Sequence, residues 1–373
     1  MSTAPDTLAI TGWGVLTSTG FGADEFAAAV REGRSGLVDV EGAFDEQLPT
    51  SKACALVGFH ARDHLGRKGT SFLDRSTSLA LIGCELALND TGLVVDDANR
   101  DRVGIVLGTT AGSLKATSDY SRETLVQDKP YLVNPMLFPN TVMNCAAGQS
   151  AIWHKLKGVN ATVAGGQLAG LNALRYTRNL VRRGYVDGAL VGAVEEFSPH
   201  TAWSAHHLHR QLGVQVPVGE GSAVFVAENP DVARAAGRTP DAEVLAVEIG
   251  YYAPTGQLPD AGEGLATTIA RALERAGVAA DEVWAVATGE TGAQPLDEVE
   301  ARGVAAVFGG AARRVRVKEL TGECQAASGA LQLAALLSHH RDDRALDGRV
   351  GVVTSVSADG AVGAAVVRGY SRA

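Results

Sequence analysis

Cysteine is scarce in this 373-residue chain, and its few thiols lie far apart. Cys54, Cys84, Cys145 and Cys324 form no C-x-x-C pair. That scatter argues against a disulfide framework or a zinc site and suits reduced thiols in the cytoplasm. Long apolar runs are missing too: no uncharged stretch is long enough to span a bilayer, and residues 1–6 are polar, without the basic region of a signal peptide. Excess positive charge is absent. The formal net charge of −9 argues against a surface for nucleic acid or anionic membrane. Glycine stretches such as Gly262-Glu263-Gly264 lack phosphate-loop spacing, so no nucleotide or other cofactor is expected. Among His200, His206, His207 and His209, the pair His206 and His209 has i, i+3 spacing, but no carboxylate or cysteine completes a metal set.

What is present is a soluble globular composition, 46% apolar and 20% charged. The length allows two ordinary domains or one large duplicated one, and either buries a sizeable core. Apolar, β-branched runs predict strands at 7–15, 102–107, 187–194, 243–251, 283–287, 349–354 and 361–368. Helical spacing predicts helices at 23–32, 70–88, 174–183, 264–276, 299–307 and 329–338, with Gly184 as a C-cap. The alternation of strands and helices argues for an α/β fold with parallel or mixed sheets. The polar, proline-bearing stretch 229–241 is the clearest composition shift, and it separates an expected first half, 1–230, from a second, 242–373.

The most informative segment is Thr162-Val163-Ala164-Gly165-Gly166-Gln167-Leu168-Ala169-Gly170. A short β-type run passes through paired glycines into a helix-type run, a sharp turn that exposes Gln167 at a helix N-terminus. Such a position favours negative charge and activates a Cys or Ser nucleophile. A primary amide is no nucleophile. Cys145 precedes this elbow by too many residues to serve and reads as a buried structural thiol.

The chain resembles the β-ketoacyl synthases of the thiolase-like fold over nearly its whole length, and Gly165-Gly166-Gln167 looks like the signature of the chain-length factors, the β subunits of type II polyketide ketosynthases. The resemblance implies two similar βα halves in a layered αβαβα architecture. It also implies that Gln167 stands where ketosynthases carry the acyl-bearing cysteine. Their first histidine matches Thr288 in Val286-Ala287-Thr288-Gly289-Glu290-Thr291, with Asp297 and Glu300 downstream. Their second matches Glu323 after Lys318-Glu319-Leu320-Thr321-Gly322, and Ala326-Ala327-Ser328-Gly329 follows in register. The gating Phe of their last loop has Ala358 in its place. Gly219-Glu220-Gly221 keeps the family's turn before a strand. With these positions altered, no catalytic residue of its own is expected.

By the same resemblance the chain pairs with a cysteine-bearing ketosynthase α subunit as a heterodimer, and acyl carrier protein reaches it mainly through that partner. The helix after Gly112 implies tunnel-ending, chain-length residues: Leu114, Thr117, Ser118 and Ser121, with Met136 and Phe138 nearby. The segment Ser113-Leu114-Lys115-Ala116-Thr117 lacks the Phe-rich character of aromatic-polyketide relatives, which leans towards a reducing, polyene-forming system. Two readings stand beside this one: a free-standing acyl-ligand-binding protein, and an enzyme of unfamiliar catalysis, such as hydrolysis with Glu323 as base. Gln167 itself is read as a plug of a dead cavity, with a plain helix-capping residue or a weak amide donor to a carbonyl as alternatives.

Overall fold

A computed structural model describes residues 7–252, 261–293, 296–310 and 312–372; the N-terminal residues 1–6, read above for a leader, lie outside them. The strands longer than two residues are β1 (Leu8–Thr17), β2 (Val103–Thr109), β3 (Asn160–Ala164), β4 (Gly188–Glu195) and β5 (Gly221–Glu228), then β6 (Ala242–Tyr251), β7 (Val283–Ala287), β8 (Arg313–Val315), β9 (Val350–Val356) and β10 (Ala361–Gly369). The longer helices are α1 (Ala23–Glu32), α2 (Arg75–Asp90), α3 (Leu114–Val126), α4 (Cys145–Trp153), α5 (Ala169–Arg182), α6 (Pro199–Leu212), α7 (Ala261–Ala276), α8 (Leu296–Phe308) and α9 (Ser328–Arg341).

The spatial order of strands is β8-β7-β9-β10-β6-β1-β5-β4-β2-β3. Each half repeats one pattern. The second strand runs parallel to the third and fourth, the fourth antiparallel to the fifth, and the fifth antiparallel to the first. The halves meet where β1 pairs antiparallel with β6, Leu8 to Ile10 facing Val244 to Ala242. The duplication that the sequence did not display directly is plain in this topology.

Alternation along the strands produces the layers. In Val103-Gly104-Ile105-Val106-Leu107, residues 103, 105 and 107 join an outer core with Leu79 and Ile82 of α2 and Ala146 of α4, while Val106 points to the middle layer. Val353 and Val367 likewise face the middle, and Val352 and Val366 face Leu265 and Ile269 of α7 on the far side. The middle layer holds α5 and α9, whose Leu171, Leu174, Leu331 and Leu333 share one core with both sets of strands. Each such side chain contributes roughly 1.5–3 kcal/mol by burial, so the αβαβα order follows from period-2 strands with two apolar faces.

Several boundaries differ from the sequence reading for local reasons. The helix expected from residue 70 begins at Arg75, because Asp74 caps it by accepting from the Thr77 N–H at 2.9 Å. The helix after the elbow starts at Ala169, not 174, and Gly184 ends it at a φ of 70°. The polar connection 229–241 carries a short helix, Pro230–Ala235, N-capped by Asn229. The histidine-bearing stretch is helix α6, started by a capping box between Ser198 and Thr201.

Candidate functional site

Gln167 sits in the single 3-10 turn Gly166–Leu168 that joins β3 to α5. Gly166 takes a φ of 51°, in the left-handed region, where a side chain would be strained. Upstream, Gly108 of β2 lies against the start of α5, so that a Cβ there would meet the Ala169 carbonyl carbon at 2.8 Å. These two glycines let the strand approach the helix closely and set the turn. A second 3-10 turn, Gln325–Ala327, stands before α9 in the other half and packs against the first.

Glu323 and Lys318 lie beside this junction. The Lys318 Nζ donates to Glu323 Oε2 at 2.7 Å and to Gln167 Oε1 at 3.2 Å. Glu323 Oε1 accepts from the Gln325 N–H at 2.8 Å and from Ser328 Oγ at 3.0 Å. Burial alone would push the Glu323 carboxyl up, but the Lys318 ammonium and the hydrogen bonds from Lys318, Gln167 and Gln325 outweigh it. Its pKa therefore ends below the ordinary value. The Gln167 main-chain carbonyl oxygen accepts from Ser355 Oγ at 3.2 Å. The side chain of Gln167, through Lys318, and its main chain, through Ser355, thus both reach residues of the second half.

Thr288, fully buried at the end of β7, donates through Oγ1 to Glu290 Oε2 at 3.0 Å, and its N–H donates to Val315 O. Glu290 is in turn held by Arg314 and by Arg316 at 2.7 Å. The next residue brings this strand to the cluster: a Cβ on Gly289 would lie 3.6 Å from Lys318 Nζ. Glu300 accepts from the Gly289 N–H at 3.0 Å and Thr354 Oγ1 at 2.6 Å, and burial pushes its carboxyl up. Gln167 and Glu323 are therefore both bound to Lys318, and Thr288 stands one residue before Gly289, which adjoins it. Ala358 lies apart, exposed in the turn between β9 and β10.

The chain-length candidates form a second group on α3. Leu114 and Ser118 line a surface depression with Pro199, His200 and Trp203. Thr117 Oγ1 donates to Ser113 O at 2.9 Å and to Thr141 O at 3.3 Å, on the side facing the 135–141 segment. Ser121 is exposed, as are Met136 and Phe138, whose ring meets Tyr120 edge-on at 5.9 Å between centroids. The histidines weighed for metal behave otherwise: His206 and His207 pack against the Trp203 ring, with centroids 5.5 and 5.8 Å away. Cys145 is buried, and its Sγ meets Asn140 Oδ1 at 3.6 Å.

Three sets of residues escaped the sequence reading. Lys318 appeared only as a motif position; the signal available was an opposite charge across the Thr-Gly turn from Glu323. Glu220 carries the Gly-Glu-Gly turn, holding Arg75 with two bonds of 2.6 Å and the Phe197 N–H at 2.9 Å. Glu195 and Glu196 are buried at the end of β4, where burial pushes each carboxyl up to about 7. Glu196 accepts from Ser113 Oγ and the Lys115 N–H, which fixes the start of α3.

With this geometry, comparison with known proteins gives a consistent outcome. The family model of the β-ketoacyl synthase N-terminal domain matches residues 6–212, and that of the C-terminal domain matches 242–343. The chain is 31% identical to the tetracenomycin polyketide synthase ketoacyl synthase beta subunit of Streptomyces glaucescens, over 91% of this chain and 87% of that protein. It is 27% identical to 3-oxoacyl-[acyl-carrier-protein] synthase 2 of Synechocystis, over 90% of this chain and 85% of that one. The solved ishigamide ketosynthase/chain length factor superposes with a TM-score of 0.86 at 36% identity, covering 98% of this chain and 99% of the other. The chain belongs to the β-ketoacyl synthase family of the thiolase-like superfamily, as a homologue of type II polyketide ketosynthase β subunits.

Proposed function

We propose that this chain is a non-catalytic chain-length factor that pairs with a cysteine-bearing ketosynthase α subunit and shapes the tunnel setting polyketide length. One observation carries the reading. The place of the acyl-bearing cysteine is held by Gln167, whose amide is bound to the Lys318–Glu323 ion pair. An amide cannot take an acyl group, and neither Thr288 nor Glu323 supplies an imidazole to an enolate oxygen. A hydrolytic role for Glu323 is disfavoured for a related reason: a carboxylate held below its ordinary pKa by a bonded ammonium is a poor proton acceptor.

The surface around β3 supports pairing. This strand is the end of the sheet order, and its outer side has no paired strand among the described residues. Leu125, Val126, Tyr131, Met136, Phe138 and Ile152 are exposed on α3, α4 and the segment between them. An unpaired edge beside exposed apolar side chains suits an obligate interface, with a partner strand extending the sheet. Leu114, Thr117, Ser118 and Ser121 of α3, with Met136 and Phe138, would then close the tunnel that begins at the partner's cysteine. The acyl carrier protein bearing the chain is engaged mainly through that partner. The Ser-Leu-Lys-Ala-Thr start of α3 favours a reducing, polyene-forming system over an aromatic one.

Co-expression with a cysteine-bearing ketosynthase tests the reading. Mutual solubilisation and a one-to-one complex are expected. A stable monomer that elongates or hydrolyses acyl thioesters by itself would overturn it.

A further inference from the structure

Helix α3 carries the chain-length candidates, yet none of its side chains is buried within this chain. Buried apolar residues fix α2, α5 and α9. Helix α3 has no such grip, so its place depends on how its first turn is held. Glu195, the last residue of β4, accepts from the Thr110 N–H, and Thr109 Oγ1 accepts from the Gly112 N–H at 3.0 Å. Glu196, 2% exposed, then takes the helix start itself: Ser113 Oγ donates to its Oε2 at 2.9 Å and the Lys115 N–H to its Oε1 at 3.0 Å. Ser113 Oγ in turn accepts from the Ala116 N–H at 3.1 Å as the N-cap.

Both carboxyl oxygens of Glu196 are thus engaged by one turn of α3, at the end where the helix dipole favours a negative group. The other polar ties of the helix to neighbouring segments are longer. Thr117 Oγ1 reaches Thr141 O at 3.3 Å, the Asn134 N–H reaches Glu123 at 3.3 Å, and Lys115 Nζ reaches Glu46 at 3.5 Å. Glu196 also stands just before α6, whose Pro199, His200 and Trp203 line the surface depression shared with Leu114 and Ser118 of α3. One buried side chain therefore sets the gap between the starts of two helices.

Resting on the chain-length-factor reading, we infer that Glu196, with Ser113, is a positioning residue for chain length: it holds the first turn of α3 against the body of the chain and so fixes how deep the tunnel runs. Neither residue need touch the growing chain. Their effect passes through Leu114, Thr117 and Ser118, which lie on or directly after the anchored turn. Without the anchor the start of α3 swings outward, its wall recedes, and further two-carbon units fit. Burial, with Asp74 and Glu220 nearby, pushes the Glu196 carboxyl up to about 7, so a neutral amide of the same shape is close to the group already held there.

Product analysis of the reconstituted heterodimer tests this, with carrier-bound chains measured by mass spectrometry. Glu196→Ala should keep pairing and the first condensation. It should raise the share of chains longer than the wild-type product about tenfold, the shift that loss of one charge-assisted hydrogen bond allows. Ser113→Ala should move the distribution the same way, and it serves where Glu196→Ala does not assemble. Glu196→Gln should restore the wild-type distribution. Asn229→Ala, which removes the cap of the short helix Pro230–Ala235, controls for lost stability and should change no length. An unchanged distribution in both the Glu196→Ala and Ser113→Ala complexes would overturn the inference. So would a shift only to shorter chains, or an equal shift in Glu196→Gln or Asn229→Ala. Leu114→Phe and Thr117→Trp separate it from the reading beneath it. If they shorten the products while the Glu196 and Ser113 variants change nothing, the reading stands and the inference falls; if no variant alters length, the reading falls as well.

Discussion

The Lys318 ammonium and the Glu323 carboxylate lie 2.7 Å apart with side chains 6% and 10% exposed, an ion pair that also holds the Gln167 amide. Removing one partner of a buried pair leaves the other charge uncompensated, at a cost of about 3–5 kcal/mol. Lys318→Met is therefore expected to destabilise the chain by that order in denaturant unfolding, and Lys318→Met/Glu323→Leu to recover most of the loss. A single variant as stable as the wild type would mean that the pair is solvated or broken in solution. The pH dependence has a definite sign. A carboxyl whose folded pKa is depressed stabilises above its unfolded pKa and loses that contribution as pH falls through the folded value. The wild type should thus lose stability on acidification more steeply than Glu323→Gln.

Gln167→Ala removes an amide but leaves the ion pair. The heterodimer should assemble normally and condense at most modestly more slowly, as measured by product formation with carrier-bound substrates. Loss of more than about 100-fold in rate with assembly intact, the size typical of an oxyanion-hole donor, would assign Gln167 a direct part in the chemistry.

The purified chain alone should give no elongation of acyl and malonyl carrier-protein thioesters above a protein-free blank. Gln167→Cys should not restore it, because a thiol at the elbow would still lack both imidazoles. Turnover by either protein, followed by mass spectrometry of the carrier, would contradict the non-catalytic reading.

Leu114→Phe and Thr117→Trp add volume to α3, which under the proposed function closes a tunnel with no volume to spare. Shorter products are expected, with the first condensation retained, because early steps proceed near the partner's cysteine. An unchanged length distribution for both variants would show that this helix does not line the tunnel. Uniform loss of every product would mean damaged pairing, checked by size-exclusion chromatography.

Glu195 and Glu196 titrate with the opposite sign. Their folded pKa values of about 7 lie above the ordinary value of 4.5, so the folded state holds protons that the unfolded chain has released. Stability should fall as pH rises from about 4.5 through 7. Glu195→Gln, which keeps an oxygen for the Thr110 N–H, should flatten that dependence and gain roughly 1–3 kcal/mol at pH 8. Parallel melting curves for wild type and variant across this range would exclude the effect.

The legible parts of the chain were those where one residue class dominates a run. β2 and β4 are apolar because both of their faces are covered, and the paired glycines announced the elbow with Gln167 upon it. Helix α6 was hidden by its histidines, although Ser198-Pro199-His200-Thr201 held a usable start signal. The burial of Glu195, Glu196 and Glu220 was not legible, because what stabilises them is a set of backbone N–H groups and Arg75, brought close only by tertiary structure. Lys318 was missed on the same account: a turn, not a periodicity, sets its distance from Glu323.

Because α5 and α9 bury their leucines in one common layer, neither half has a complete interior of its own. A cut within residues 229–241 should yield two fragments that stay unfolded apart and regain structure only on mixing. In folding terms the chain is one cooperative unit written twice, and its natural point of division is a site for fragment complementation rather than for independent modules.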